Sequence, residues 1–379
     1  MQQQSIRTAL RRPPALRPGD TIAFVAPAGG LAAIVPHRLE RARQELESYG
    51  FKVKIYPSVT RTPQQNMEIL LNSESVDKET RDASSSSLEL YSSADPQTRA
   101  QELMDAFQDP HVKAILCTIG GFTSHELLEY LDFDVIRENP KIFSGSSDIT
   151  SLHLAFFSRA QLYTFYGPSA ICQFGEFPKP LSYTMEHFFK AVQVKEPIGS
   201  IVPSLEWTDD KTANWITGMD ITYEDQMKQN DGYVWLREGI ASGVVLGGCL
   251  PVLLNLRGTA FYPDFTDSIL LLETPEGAAF DTGMPLNNVN MVLGCLRVDG
   301  MFTKIRGLVV GRAFAYTDQQ VAELQRLIKY HTRGTAFPIL YGVDVGHTNP
   351  MATIPLGCRV SLDSSSSANA FSIHESGVQ

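Results

Sequence analysis

Apolar positions follow two rhythms along the chain. Strand-type stretches, some fully apolar and some alternating, occur at 21–25 (T-I-A-F-V), 51–56, 114–116, 141–144 and 162–166. Between them the spacing turns helical. Leu39, Ala42 and Leu46 follow Pro36, and Ala100, Leu103, Met104 and Phe107 form one stripe behind Asp95-Pro96, an N-cap followed by proline at the first helical position. Asp148 is expected to cap another helix running through Leu152 and Phe156. Strand–helix–strand alternation implies parallel pairing with right-handed crossovers. Residues 20–170 therefore read as an open α/β layer of flavodoxin or Rossmann type, with ligand sites at the carboxyl ends of its strands.

The second half repeats the alternation after a change of texture. A helix around 183–192 precedes a polar, irregular stretch over 200–240 that holds all three tryptophans, Trp207, Trp215 and Trp235. Strands are then expected at 243–246, 269–272, 308–310 and 338–341, with helices at 250–256, 288–296 and 318–330. The resulting division is a flexible tail (1–18), an N-terminal α/β domain (19–185), and a linker with a tryptophan-bearing loop (186–240). A smaller C-terminal α/β domain (241–362), of swivelling type, and a disordered tail (363–379) that follows the serines at 364–367 complete it. The polar stretch 61–92, with four serines at 84–87, reads as a surface insertion.

Composition narrows the partners. A chain of 379 residues is long for one core, so two domains are the default. The net charge of -10 disfavours a nucleic-acid polymer or an anionic membrane. No apolar run reaches the roughly 18 residues of a membrane span. Five scattered cysteines without C-x-x-C spacing read as reduced thiols of a cytoplasmic protein. Arg7, Arg11, Arg12 and Arg17 would suit a presequence helix, but Pro13, Pro14 and Pro18 interrupt it. H-E-x-x-H, P-loop and G-x-G-x-x-G patterns are missing, so neither metal nor cofactor is expected.

Candidate chemistry starts at 113–128, K-A-I-L-C-T-I-G-G-F-T-S-H-E-L-L. A strand ends at Gly120-Gly121 and a helix restarts behind Ser124. That places the hydroxyl at a strand's carboxyl end, beside free helix-start N–H groups. A nucleophile must be held in this way, and so is a plain serine N-cap. Glu273 closes the apolar strand L-L-L-E, and His347 sits in the loop V-G-H-T-N-P. A serine needs a base and an acid to orient that base, so Ser124, Glu273 and His347 are a candidate triad. Rim carboxylate and structural histidine remain the alternatives for the last two.

The segments I-G-G-F-T-S at 119–124, P-K-I-F-S-G-S-S-D at 140–148, T-F-Y-G-P at 164–168, L-L-E at 271–273 and H-T-N-P-M at 347–351 resemble, in order, the LD-carboxypeptidase family of serine peptidases. The resemblance spans about residues 15 to 362. Glu206-Trp207-Thr208-Asp209 with Asn214-Trp215 is similar to the loop of that family's microcin C immunity (MccF-like) branch. The resemblance implies a Ser124–Glu273–His347 hydrolase. By geometry the His125 N–H, which follows the nucleophile at a helix start, is one oxyanion donor, and the second comes from Gly121 or from the loop near Ser93-Ala94. The resemblance further implies Trp207 and Trp215 stacking on the base of an acyl-nucleotide substrate, and a homodimer. Cleavage of murein tetrapeptides, or ligand binding without catalysis, are the other expectations. Ser146, Cys249 and Thr274 depart from the family's usual tyrosine, asparagine and aspartate.

Overall fold

The computed structural model describes residues 10–62, 65, 92–279 and 281–379, so the proposed 61–92 insertion lies almost entirely outside the described residues. The first sheet is built from β1 (Thr21–Val25), β2 (Lys52–Ile55), β3 (Val112–Cys117), β4 (Ile142–Gly145) and β5 (Thr164–Tyr166). Between them and the second sheet's main strands come four short strands: β6 (Gly199–Ser200), β7 (Glu206–Trp207), β8 (Lys228–Gln229) and β9 (Val234–Arg237). The remainder are β10 (Ile240–Cys249), β11 (Ser268–Glu273), β12 (Gly307–Gly311), β13 (Ile339–Val343), β14 (Ile354–Leu356), β15 (Arg359–Asp363) and β16 (Phe371–Ile373).

Six strands form the first sheet in the order β14-β5-β4-β3-β1-β2. Its five early strands run parallel, and β14 closes the edge antiparallel to β5. The second sheet has eight strands, β6-β16-β15-β10-β11-β12-β13-β9, with a parallel centre from β10 to β13. The central strands are apolar throughout because both faces are covered; β3, β11 and β12 are buried almost end to end. Asp95 caps the helix Pro96–Gln108 by accepting from the Thr98 N–H. The two halves fuse rather than merely abut: one core holds Phe143 with Leu272, the other Phe24 with Val309.

Both proposed tails need correction over the residues described. Residues 10–18 are docked: Arg11 bridges Leu162, Leu16 is buried, and the Ala15 N–H donates to the Gln379 carbonyl. The C-terminal stretch is ordered too. Serines 364–367 turn between β15 and β16, and Val378 is buried. An apolar side chain needs only one groove to tie a terminus down, and a serine run gives no sign of it. The boundary set at 185 falls inside the helix Ser182–Gln193, and the supposed linker gives β6 and β9 to the second sheet.

Candidate active site

The ends of β4, β5 and β11 and the loop behind β13 meet at one point. Glu273 is the last residue of β11 and is fully buried, in register with Cys249 of β10. His347 follows β13 in a loop turned by Gly346, whose φ is 112°. Glycine is required there on a second count, since a Cβ would fall 2.8 Å from both Cβ and Oε2 of Glu273. The close approach lets His347 Nδ1 sit 2.7 Å from Glu273 Oε2. Tyr166, at the end of β5, donates its hydroxyl to the other carboxylate oxygen at 2.5 Å. Burial, with Glu273 beside it, holds the Tyr166 phenol well above its ordinary range, so it stays a donor.

The serine facing His347 is Ser147. Its Oγ lies 3.0 Å from His347 Nε2. Ser147 follows β4 by two residues and leads through the short turn Ser147–Ile149 into the helix Thr150–Ala155. Its φ is 60°, a left-handed conformation that costs a non-glycine residue about 1–3 kcal/mol. The strand–turn–helix shape with a strained serine at its apex aims the hydroxyl out of the sheet, as in a nucleophile elbow. Two bonds hold it so: the Ser147 N–H donates to Tyr166 Oη at 3.0 Å, and Thr150 Oγ1 donates to the Ser147 carbonyl at 2.6 Å.

Ser124 therefore does not occupy the position expected of it. It is fully buried, its N–H donates to Asp148 Oδ2 at 2.8 Å, and its Oγ donates to the Asp148 carbonyl at 2.6 Å. Among the described residues no hydrogen bond joins Ser124 to His347. Its position as a cap-like anchor clamps the residue after Ser147. His125 consequently stands exposed, next to the wrong serine, and loses the geometric case for an oxyanion donor. Gly120 of the same turn is the part that faces the site. A Cβ on Gly120 would lie 2.7 Å from Ser147 Cβ and 3.3 Å from the Asp148 nitrogen. Gly121 backs onto the Gly29 amide, 2.8 Å from where its Cβ would be.

Electrostatics at His347 oppose one another. Burial alone disfavours the imidazolium, but Glu273 and Glu276 together outweigh it and raise the pKa well above 6.5. Glu276 Oε2 lies 3.1 Å from His347 Nε2. Since a base must be neutral, turnover is expected to fall as pH drops through a midpoint above 6.5, the ordinary histidine value. A pH profile of kcat/KM checks this. The Cys249 thiol, buried against Glu273, is pushed up and stays protonated.

The tryptophan loop touches the histidine loop through paired backbone bonds between Thr208 and Asn349, 2.6 and 3.0 Å. Both candidate stacking rings already have cationic neighbours. Arg38, fully buried and bonded to Asp220, Glu176 and two carbonyls, lies 3.8 Å from the Trp215 ring centre. Trp207 has Arg312 at 4.6 Å and Lys228 at 4.8 Å. Trp215 thus has the contacts of a clasp over a buried arginine. Trp215→Ala is expected to destabilise the fold by about 2 kcal/mol or more, measured by urea unfolding.

Ser147, Tyr166 and Glu276 are the residues that sequence reasoning missed. The available signal was Gly145-Ser146-Ser147-Asp148 between an apolar strand and a helix, small residues at a strand's carboxyl end.

Comparison with known proteins falls on the same segments. Residues 22–167 match the family described as the LD-carboxypeptidase N-terminal domain, and residues 242–362 match its C-terminal domain. A putative carboxypeptidase of Bacillus subtilis, YocD, is 31% identical over 356 residues, 93% of this chain and 96% of that one. The microcin C7 self-immunity protein MccF of Escherichia coli is 28% identical over 350 residues, covering 91% of each chain. A solved structure of MccF in complex with aspartyl sulfamoyl adenosine matches with a TM-score of 0.81 at 26% identity, over 97% of this chain and 100% of that one. A probable murein peptide carboxypeptidase of Bacillus subtilis is 26% identical over 371 residues, 97% of this chain and 95% of that one.

Proposed function

From the premise that this chain belongs to the LD-carboxypeptidase family and is a serine peptidase or amidase, we propose that Ser147 is its nucleophile and that it hydrolyses the acyl link of aminoacyl-nucleotide compounds. One observation carries the first part: a strained serine, an imidazole and a buried carboxylate connected at 3.0 and 2.7 Å. Ser147 Oγ attacks the acyl carbon while His347 Nε2 takes its proton. Glu273 holds the Nδ1–H and balances the imidazolium that forms, and Tyr166 fixes Glu273 by its other oxygen. The Asp148 N–H, which follows the nucleophile, and an N–H of the Gly120-Gly121 turn beside it receive the oxyanion. His347 then protonates the leaving group, and water clears the acyl-enzyme by the same relay.

The substrate class is supported by the aspartyl sulfamoyl adenosine bound to MccF. A second reading, cleavage of murein tetrapeptides, is supported by the likeness to the probable murein peptide carboxypeptidase of Bacillus subtilis. Hydrolysis of aminoacyl-sulfamoyl adenosines and an LD-tetrapeptide, measured side by side, separates the two. The first reading expects turnover of the adenosines; turnover of the tetrapeptide alone would replace it with the second.

A further inference from the structure

Among the described residues, Glu276 is the one acidic side chain in contact with the relay that the hydrolytic steps leave unused. It stands three residues beyond Glu273, and its Oε2 approaches His347 Nε2 at 3.1 Å. Ser147 Oγ approaches the same nitrogen at 3.0 Å, so the two oxygens compete for one ring position. Glu273 is wholly buried, whereas the Glu276 side chain is one-third exposed (33%), at the mouth of the site. Its backbone is firmly held. Glu276 bridges Gly283, the Gly277 N–H donates to the Thr282 carbonyl at 2.7 Å, and Lys211 of the tryptophan loop reaches the Asp281 carbonyl at 2.6 Å.

An imidazole held between two carboxylates keeps the proton that it must lose before it can act as a base. A cation that takes over Glu276 withdraws one of those charges and adds repulsion, so the ring proton passes to solvent and a neutral base is left. An ammonium on the carbon next to the scissile carbonyl is placed to do this. Its nitrogen lies two bonds from the carbon that Ser147 attacks, and Ser147 Oγ and Glu276 Oε2 already flank one nitrogen. We propose that Glu276 recognises a free α-ammonium on the acyl side of the substrate, and that seating this cation releases His347 to act as base. The inference rests on Ser147 being the nucleophile.

The other ionisable groups around Glu276 do not supply this function. Beyond His347 stands Glu273, already occupied by Tyr166 and Nδ1. Burial pushes the Cys172 thiol up to about 12 and raises that of Cys249, so both stay neutral. Past Cys172, Glu176 is paired with Arg38. His347 in turn holds Glu276 down to about 2 against the effect of burial, so it carries its charge throughout the working pH range.

The test uses an aminoacyl-sulfamoyl adenosine with a free amine and its N-acetyl counterpart, with wild type, Glu276→Gln and Glu276→Asp. Wild type is expected to prefer the free amine by about 10- to 100-fold in kcat/KM, the usual worth of a charged hydrogen bond. Glu276→Gln should erase most of that preference and move the acid limb of kcat/KM down toward the ordinary histidine value, and Glu276→Asp should restore part of both. Phosphonate labelling of Ser147 in each variant reports an intact site. Unchanged preference and an unchanged acid limb in Glu276→Gln would overturn this inference alone. Failure of wild type to turn over either compound would overturn the aminoacyl-nucleotide reading and this inference with it.

Discussion

Ser147→Ala is expected to lower hydrolysis on the order of 10⁴- to 10⁶-fold, the loss typical when a nucleophile that works as part of a triad is removed. Ser124→Ala is expected to stay within about tenfold of wild type, at a cost to stability of about 1 kcal/mol from its lost bond to the Asp148 carbonyl. The contrast follows from where each hydroxyl points. Ser147 Oγ has the histidine nitrogen as its neighbour; Ser124 Oγ is buried and committed to the clamp behind it. Alanine at 147 leaves Glu273, Tyr166 and the oxyanion donors in place, so ligand affinity should be nearly unchanged. Parallel kcat and Kd measurements on both variants check the pair of expectations.

Glu273→Gln should be almost as damaging, with kcat reduced by about 10⁴-fold and the fold intact. Tyr166 donates to one oxygen of Glu273, which leaves the other to face His347 Nδ1. In the glutamine, the oxygen keeps the tyrosine's bond and the amide NH₂ turns toward Nδ1. That forces Nδ1 to accept and puts the ring proton on Nε2, where it cannot take a proton from Ser147. The amide also removes a charge that holds the histidine pKa up, so the residual activity should show an acid limb at lower pH than wild type. A pH profile of that residual activity distinguishes tautomer loss from simple unfolding.

Much of the fold was legible because parallel strands covered on both faces are written as consecutive apolar residues. T-I-A-F-V, L-L-L-E and G-L-V-V-G could be placed from the pattern alone. The strand ends then located Glu273 and, one loop further, His347. The serine was misplaced for a physical reason. A turn that needs a left-handed residue is sought where glycine is found, and Gly120-Gly121 offered two. In the structure the strained residue is itself the serine, at φ 60°, and its strain is held by Thr150 three residues on and by Tyr166 at the end of the next strand. Gly120 serves instead to let the neighbouring turn lie flush against Ser147, and Gly121 lets it back onto Gly29. Gly145-Ser146-Ser147-Asp148 behind an apolar strand is the local trace of the strained serine, but the bond from Tyr166 is not written there. The termini were misread likewise, because Leu16 and Val378 find their grooves only after both sheets exist.

Ser147, and not Ser124, is expected to form the covalent intermediate. Treating the protein with a fluorophosphonate and mapping the adduct by peptide mass spectrometry tests it most directly. The expected result is a single adduct on Ser147, lost in Ser147→Ala and His347→Ala and retained in Ser124→Ala. An adduct on Ser124, or full hydrolytic activity in an enzyme whose Ser147 never reacts, would contradict the account.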